Sequence, residues 1–411
     1  MSNVLGIISE YNPFHNGHLH HLIESKKITN SDYTIVVMSG NFTQRGDISI
    51  IDKWAKTKMA IDNGIDLVIE LPTLYAISSA ENFASGAIKI LDSLGIVDFV
   101  SFGSECDDIS VLTDIANVLY SEPTEYKTLL SHELSKGESF PKAREKALMM
   151  YLNDVRRFAN VISGSNNILA IEYLKALKRQ KSNIQPIAIK RQGSTYNDDT
   201  IPQNSRFASA TAIRNMCHSI DISDLQRFMP ESSYNILNDS IQNGNIVKNF
   251  SDFDKLIIYT LRKMSSAEIA DLPDVSEGLE FALKNAANSC NTTVELLSNI
   301  GTKRYTKTRL QRILLYAVLG ITKKDMQISI NTKPYIRILG FNDKGRDLIS
   351  EISKHNPKLE LVSSVKKFMD KSSNKNLKMM MEKDIWATNV YTLGFEYDSK
   401  GNLDYTHKLI T

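Results

Sequence analysis

Five short runs rich in valine and isoleucine recur through the first part of the chain: VLGIIS (4–9), YTIVVM (33–38), DLVIEL (66–71), VDFVSF (about 98–102) and QPIAIK (185–190). They show almost no apolar–polar alternation. A strand of that composition has no face suited to water, so both faces must be covered, as in a parallel sheet flanked by helices. The stretches between them read as helices: residues 17–27, DKWAKTKMAIDNG (52–64) with Gly64 at its C-terminal end, and SAENFASGAIKILDSLG (79–95). Strand–helix alternation at this spacing predicts right-handed βαβ units. The expected fold class is α/β, a doubly wound parallel sheet with a mainly helical C-terminal domain.

Residues 108–182 are helical by pattern, with loop signals at SEPTEY and SKGESFPK, and read as an insertion before the last strand. Beyond about residue 222 the strand pattern stops and 223–330 reads as a helical bundle. A small α/β element returns at about 333–365. The expected division is therefore 1–222, an α/β domain with its helical insertion at about 108–182, and 223–411, mainly helical. Net charge is +2, so any basic surface must be local. The cysteines Cys106, Cys217 and Cys290 lie far apart, which argues against a disulfide framework or a cysteine zinc site and fits a reducing compartment. The longest apolar run, ILLYAVLGI (313–321), is nine residues, about half of the ~20 that span a bilayer. The first apolar run has neither the length nor the flanks of a signal peptide. A cytoplasmic location with no membrane partner is expected; oligomeric state is not legible.

Four of the eight histidines, His15, His18, His20 and His21, fall within FHNGHLHH. The loop that carries them leaves the carboxyl end of the first strand, where open α/β sheets bind ligands. Gly17 lets a ligand approach the backbone. Free N–H groups at the start of the following helix favour an anion. His15 and His18, three apart across that helix start, can donate to phosphate oxygens and stabilise charge that develops during attack at an α-phosphate. Zinc is the competing reading, but no Cys, Asp or Glu follows at a familiar ligand spacing, so phosphate is favoured over metal. His20 and His21 lie in the helix body and are expected to pack or be solvated, not to catalyse. A second motif, RFASATAIRNMC (206–217), follows the last strand. Ser209 or Thr211 can cap its helix, and Arg214, one turn on, can fork onto phosphate oxygens.

FHNGH resembles the H-x-G-H motif of the nucleotidylyltransferase superfamily, and SATAIR its second signature, I-S-S-T-x-x-R. The blocks EYNPFHNGHL, VMSGNFTQRGD, KWAKTKMA, DLVIELP, FGSE, NNILAIEYL, TKRYTKTRLQR and PYIRILGF together resemble the bacterial tRNA(Met) cytidine acetate ligase family. The resemblance runs to about residue 341 and is weaker in 108–160 and the last 60 residues. It implies a Rossmann-like HxGH fold whose first domain binds ATP and whose second binds tRNA. It also implies an ATP-dependent ligase that activates acetate as acetyl-AMP, then acetylates the wobble cytidine of elongator tRNA(Met) to N4-acetylcytidine. For that chemistry Mg²⁺ is expected to bridge the phosphates, though no carboxylate pair marks its site. By matching position, the ATP contacts come from Ile8, Ser9, Glu10, Tyr11, Asn12, Pro13, Phe14, His15, Asn16, Gly17, His18, Leu19, His20 and His21. They continue with Gly103, Asn166, Arg191 and Gln192, beside Ser209, Thr211 and Arg214. The plainer reading of Asn166 is an N-cap for the helix after it.

Gly40, Gln44, Arg45 and Lys53, after the second strand, are candidates to line an acetate or acceptor pocket. The plainer reading of Lys53 and Lys56 is a solvated helix face; Trp54, Met59 and Ala60 read as core. For RNA, Lys303, Arg304, Lys307, Arg309 and Arg312 cluster around Tyr305. Basic side chains neutralise phosphates and an interleaved aromatic can stack on a base. The plainer reading is a basic amphipathic helix whose stripe of Leu310, Ile313 and Leu314 packs in the bundle, charges outward. No Ser/His/Asp or Cys/His arrangement marks a covalent nucleophile. Two other functions stay open: a small-molecule adenylyltransferase acting on a phosphorylated metabolite, and a non-catalytic tRNA-binding protein.

Overall fold

The computed structural model describes residues 3–106, 108–158, 161–162, 164–191, 205–217, 222–276, 278–301 and 305–411. The N-terminal half runs β1 (Val4–Ser9), α1 (Asn16–Thr29), β2 (Tyr33–Ser39), α2 (Lys53–Asp62), β3 (Leu67–Leu71), α3 (Thr73–Ala76), α4 (Ala80–Leu94) and β4 (Phe99–Ser104). Helices α5 (Ile109–Ser121), α6 (Thr124–Ser135), α7 (Phe140–Leu152), α8 (Val155–Phe158) and α9 (Ser165–Gln180) then precede β5 (Gln185–Lys190) and α10 (Ala210–Met216). The bundle follows: α11 (Glu231–Gln242), α12 (Asp254–Lys263), α13 (Ser266–Ala270), α14 (Leu279–Ser289), α15 (Thr293–Ile300), α16 (Lys307–Leu319) and α17 (Lys323–Asn331). The chain ends with β6 (Ile336–Phe341), α18 (Asp343–His355), β7 (Leu361–Val362), α19 (Val365–Lys371), α20 (Lys375–Tyr391) and α21 (Leu403–Thr406).

The strand order is β5-β4-β1-β2-β3-β6-β7. The first five strands are parallel, as their composition requires. Alternate residues of one strand serve opposite cores: Val4 and Ile8 of β1 pack with α4 and α9, whereas Leu5 and Ile7 pack with the α1, α2 and α10 side. Both faces are thus apolar, which is why the strands show no alternation. The connections reverse direction between β1 and β4, and the C-terminal ends of those two strands form the crevice in which such sheets bind ligands.

The sheet is mixed where the expectation was parallel. The strand–helix–strand near 333–365 is present, but it extends the N-terminal sheet. β6 pairs antiparallel with β3 (Glu70 opposite Arg337, a register shift at Val68/Ile69), and β7 runs parallel to β6. Two of the seven strands therefore come from beyond residue 222. At that seam lies an ionic cluster of Lys53, Glu70, Arg337 and Asp404, all at least 95% buried. Lys53 Nζ donates to Glu70 at 2.9 Å and to Asp404 at 2.6 Å, and Arg337 pairs with Glu70 at 3.0 Å and with Asp404. Two cations balance two anions, so the charges are compensated without water.

Candidate active site

His15 is the N-cap of α1, with an extended backbone (φ −138°). Its Nδ1 accepts the Gly17 N–H at 3.0 Å, and His18 Nδ1 accepts the His15 N–H at 3.3 Å. A nitrogen that accepts carries no proton, so each neutral ring keeps its proton on Nε2. Burial, followed by the charges of Arg191 and Arg214, pushes His15 down to about 3. Burial also holds His18 well below the ordinary range, with His15 and Arg191 adding to it. The pair is therefore neutral at pH 7: two Nε2–H donors on rings with centroids 3.9 Å apart. A Cβ on Gly17 would stand 2.7 Å from His15 Cε1, so the cap itself demands glycine there. Both Nδ1 atoms are thus taken up by backbone amides. Among the described residues no group of three His, Cys, Asp or Glu is placed to hold a metal ion.

The pair lines one cavity at the β1/β4 switch, with Ile8, Ser9, Glu10, Tyr11, Asn12, Gly17, His20 and His21. Pro13, Phe14, Asn16 and Leu19 are not in its wall. Phe14 is fully buried beneath the loop. Asn16 ties α1 to the segments before α10 and before α11, donating from Nδ2 to Arg206 O and Arg227 O at 3.0 Å each and from its N–H to Phe228 O at 2.8 Å. Asn12 accepts the Ile50 N–H at 2.9 Å, which pins the loop after β2 to the histidine loop. His21 bonds Ser101 Oγ at 3.0 Å, and burial, with Arg191, lowers it to about 4. His20 meets the edge of Phe207.

The other strand ends converge here. Gly103, Asn166 and Arg191 line the cavity. Asn166 is not the N-cap of α9: Gly164 is, without a side-chain bond. The Glu105 carboxylate takes the first-turn amides instead, Asn166 N at 3.2 Å and Asn167 N at 2.8 Å. Relieved of capping, the Asn166 amide reaches Glu105 at 2.6 Å and accepts from Arg191 at 3.4 Å. Gln192 lies outside the described residues. Ser209 caps α10, accepting Ala212 N–H at 3.0 Å. Thr211 sits in the first turn, outside the cavity wall, and accepts from Arg214 at 3.2 Å. Arg214 also donates to Asn12 O at 3.0 Å and stands 3.7 Å from Asp47. It lines the cavity and links both motifs.

Gln44 and Arg45 line the cavity; Gly40 and Lys53 do not. Neither Lys53 nor Lys56 is solvated. Lys53 belongs to the seam cluster. Lys56, fully buried, donates to Glu10 O at 3.0 Å, Ser39 O at 2.9 Å, Gly40 O and Ser49 Oγ at 3.0 Å. It is a post under the two loops. Trp54, Met59 and Ala60 are core as expected. Residue patterns did not reveal Asp47, Phe83, Phe102, Leu169 and Tyr173, which also line the wall. Leu169 and Tyr173 follow Asn166 at i+3 and i+7, a helical spacing that places all three along one face of α9.

The chain matches the model of the HIGH Nucleotidyl Transferase family over residues 2–404. It is 45% identical over 407 residues to the tRNA(Met) cytidine acetate ligase of Thermoanaerobacter sp. (strain X514), covering 99% of both chains. It is also 45% identical, over 415 residues and 99% of both, to the tRNA(Met) cytidine acetate ligase of Acetivibrio thermocellus. This chain belongs to the tRNA(Met) cytidine acetate ligase family. Among solved structures it is similar to Thermotoga maritima TmcAL, 36% identical over 99% of both chains, with a TM-score of 0.92 for the apo form and 0.91 for the form bound with alpha-thio ATP.

The basic segment is less free than its sequence suggests in this cytidine acetate ligase family member. Lys303 and Arg304 lie outside the described residues. Lys307 is exposed. Arg309 donates to Asp274 O at 2.7 and 3.0 Å and to Ser276 Oγ at 2.9 Å, its guanidinium over the Tyr305 ring. Arg312 is buried and paired with Asp274 at 2.8 Å. From Leu310 to Leu319 every residue of α16 is buried, so the helix is not amphipathic there and Arg312 cannot point outward. Gly46 (φ +73°) explains part of this: a Cβ would lie 2.5 Å from Arg312 N, so α16 packs directly on the cavity loop. Among the described residues no helix is long and apolar enough to cross a membrane.

Proposed function

We propose that this chain activates acetate with ATP to acetyl-AMP and transfers the acetyl group to the wobble cytidine of elongator tRNA(Met), forming N4-acetylcytidine in the cytoplasm. The observation that carries the reading is the neutral His15–His18 pair with both Nε2–H groups turned from the backbone, in a cavity shared with Arg191 and Arg214. Acetate oxygen attacks the α-phosphorus, a P–O bond forms, and pyrophosphate leaves with the electrons of the broken P–O bond. Phosphoryl and nucleotidyl transfers of this kind ask for positioning and charge stabilisation and need no covalent nucleophile. Neutral imidazoles fit this role because they donate without first having to bind a proton, and two guanidinium groups supply the positive charge. The cytosine amine then attacks the acetyl carbon, AMP leaves and the amine loses a proton.

Mg²⁺ fits as an ion carried on the triphosphate. Such ions keep most ligands from phosphate and water and take one or two carboxylates from protein, and Asp47 is a carboxylate in the cavity wall. The described part of the basic segment that stays exposed, Lys307, opens α16, the helix whose Arg312 backbone packs on the cavity loop, and tRNA would approach over that edge. The deciding experiment is incubation with ATP, labelled acetate and bulk tRNA, followed by digestion of the RNA. Labelled N4-acetylcytidine is expected. Absence of label, with AMP instead moved onto a metabolite, would assign the fold to adenylyl transfer.

A further inference from the structure

The cavity has two unlike walls, belonging to the two cores on opposite faces of the sheet. On the α1/α10 side stand the phosphate-type groups, His15, Gly17, His18, Ser209 and Arg214. On the α4/α9 side stand Phe83, Phe102, Leu169 and Tyr173. Phe102 and Tyr173 pack with centroids 5.5 Å apart. Tyr173 is 95% buried and lines the cavity, and its hydroxyl makes no hydrogen bond among the described residues, so it is open to a ligand in the cavity.

We propose that this apolar wall is the acyl pocket, with Tyr173 the donor to a carboxylate oxygen and Phe83, Phe102 and Leu169 closing around the methyl group. The inference rests on the ligase reading above and adds the subsite for its acid substrate. The chemistry is that of a short-chain carboxylate: one apolar end, one anionic end. Tyr173 lies two helical turns from Asn166, about 10 Å at 1.5 Å per residue, so its hydroxyl stands away from the Asn166–Arg191 end of the cavity, with Leu169 between the two. An acid held against this wall presents its oxygens toward the phosphate wall, as attack at the α-phosphorus requires. Hydrophobic walls discriminate one methylene by about tenfold to two-hundredfold, so these residues set which acid is used.

The experiment is acid-dependent ATP–pyrophosphate exchange with acetate, propionate and butyrate, on the full chain and on Leu169→Ala and Tyr173→Phe. Leu169 is only partly buried, and the tyrosine change is isosteric, so both variants keep the fold; thermal melts and the KM for ATP check this. In Leu169→Ala the propionate-to-acetate ratio of kcat/KM rises about tenfold or more. In Tyr173→Phe the KM for acetate rises about tenfold while the KM for ATP stays within about twofold. Unchanged acid preference and unchanged acetate KM in both folded variants overturn the pocket while wild-type exchange leaves the ligase reading standing. Variants that exchange acetate normally but fail to acetylate tRNA also overturn it and give the wall to the acceptor base. Wild-type protein with no acetate-dependent exchange overturns the underlying reading itself.

Discussion

At the residue scale the histidine pair makes two predictions. Replacing His18 by Ala removes one Nε2–H donor to the phosphates, and a loss of at least about a hundredfold in acetate-dependent ATP–pyrophosphate exchange is expected, the size of one lost donor to developing charge. Wild-type exchange in that variant would remove His18 from the chemistry. The second concerns acid stability. His15 is held down to about 3 by burial and by Arg191 and Arg214, against about 6.5 when unfolded. As pH falls below 6.5 the unfolded chain takes the proton first. Stability from the neutral ring is therefore complete above about 6.5 and is lost progressively toward about 3, at up to about 1.4 kcal/mol per pH unit. Urea midpoints measured at pH 7 and 5 should fall, and fall less in His15→Asn, which keeps a capping side chain but does not titrate.

At the element scale, α2 works as a strut. Lys53 and Lys56 read as a surface face because residue type alone cannot distinguish a solvated ammonium from one surrounded by carbonyls. Lys56 holds the ends of β1 and β2 together through Glu10 O, Ser39 O and Gly40 O. Lys56→Met keeps the apolar stem and strands those buried acceptors. We expect a loss of about 3 kcal/mol or more in denaturant unfolding, with exchange activity reduced because the histidine loop loses its support. An unchanged midpoint would show that water replaces the ammonium. Helix α16 gives the converse lesson. Its arginines look available for RNA, but Asp274 and Gly46 turn Arg309 and Arg312 inward. A salt-dependent tRNA affinity must therefore draw on other cations, Lys307 among them.

At the scale of the whole molecule, the C-terminal end completes the N-terminal sheet. Asp404 reaches Lys53 and Arg337, Ile410 bridges to Gly340, and His407 stacks on Trp54 with centroids 4.3 Å apart. Removing one member of a buried charge cluster costs about 3–5 kcal/mol, because its partner stays buried without compensation. A fragment of residues 1–222 would lose β6, β7, Arg337 and Asp404 together. It is expected to show no cooperative thermal transition by circular dichroism; a sharp transition would establish an independent N-terminal domain. Asp404→Asn in the full chain should lower the melting point without changing the acid preference in exchange.

The residues alone determined the parallel part of the sheet, the histidine loop at its switch point and a hydroxyl cap for α10, at Ser209 or Thr211. Each of these depends on local chemistry: buried strands cannot alternate, Gly17 and His15 form a cap within a few residues, and Ser209 bonds a backbone group three residues on. Tertiary structure decided the rest, because it depends on partners far away in the chain. It added an antiparallel strand from residue 336 onward to the sheet, turned Lys53, Lys56 and Arg312 from surface charges into buried ones, and freed Asn166 by giving its capping role to Glu105. It also supplied the partners behind the division of FHNGHLHH that the residues suggest. His15 and His18 present neutral donors because their other nitrogens accept backbone protons, while His20 and His21 bind Phe207 and Ser101, which the chain brings there from elsewhere.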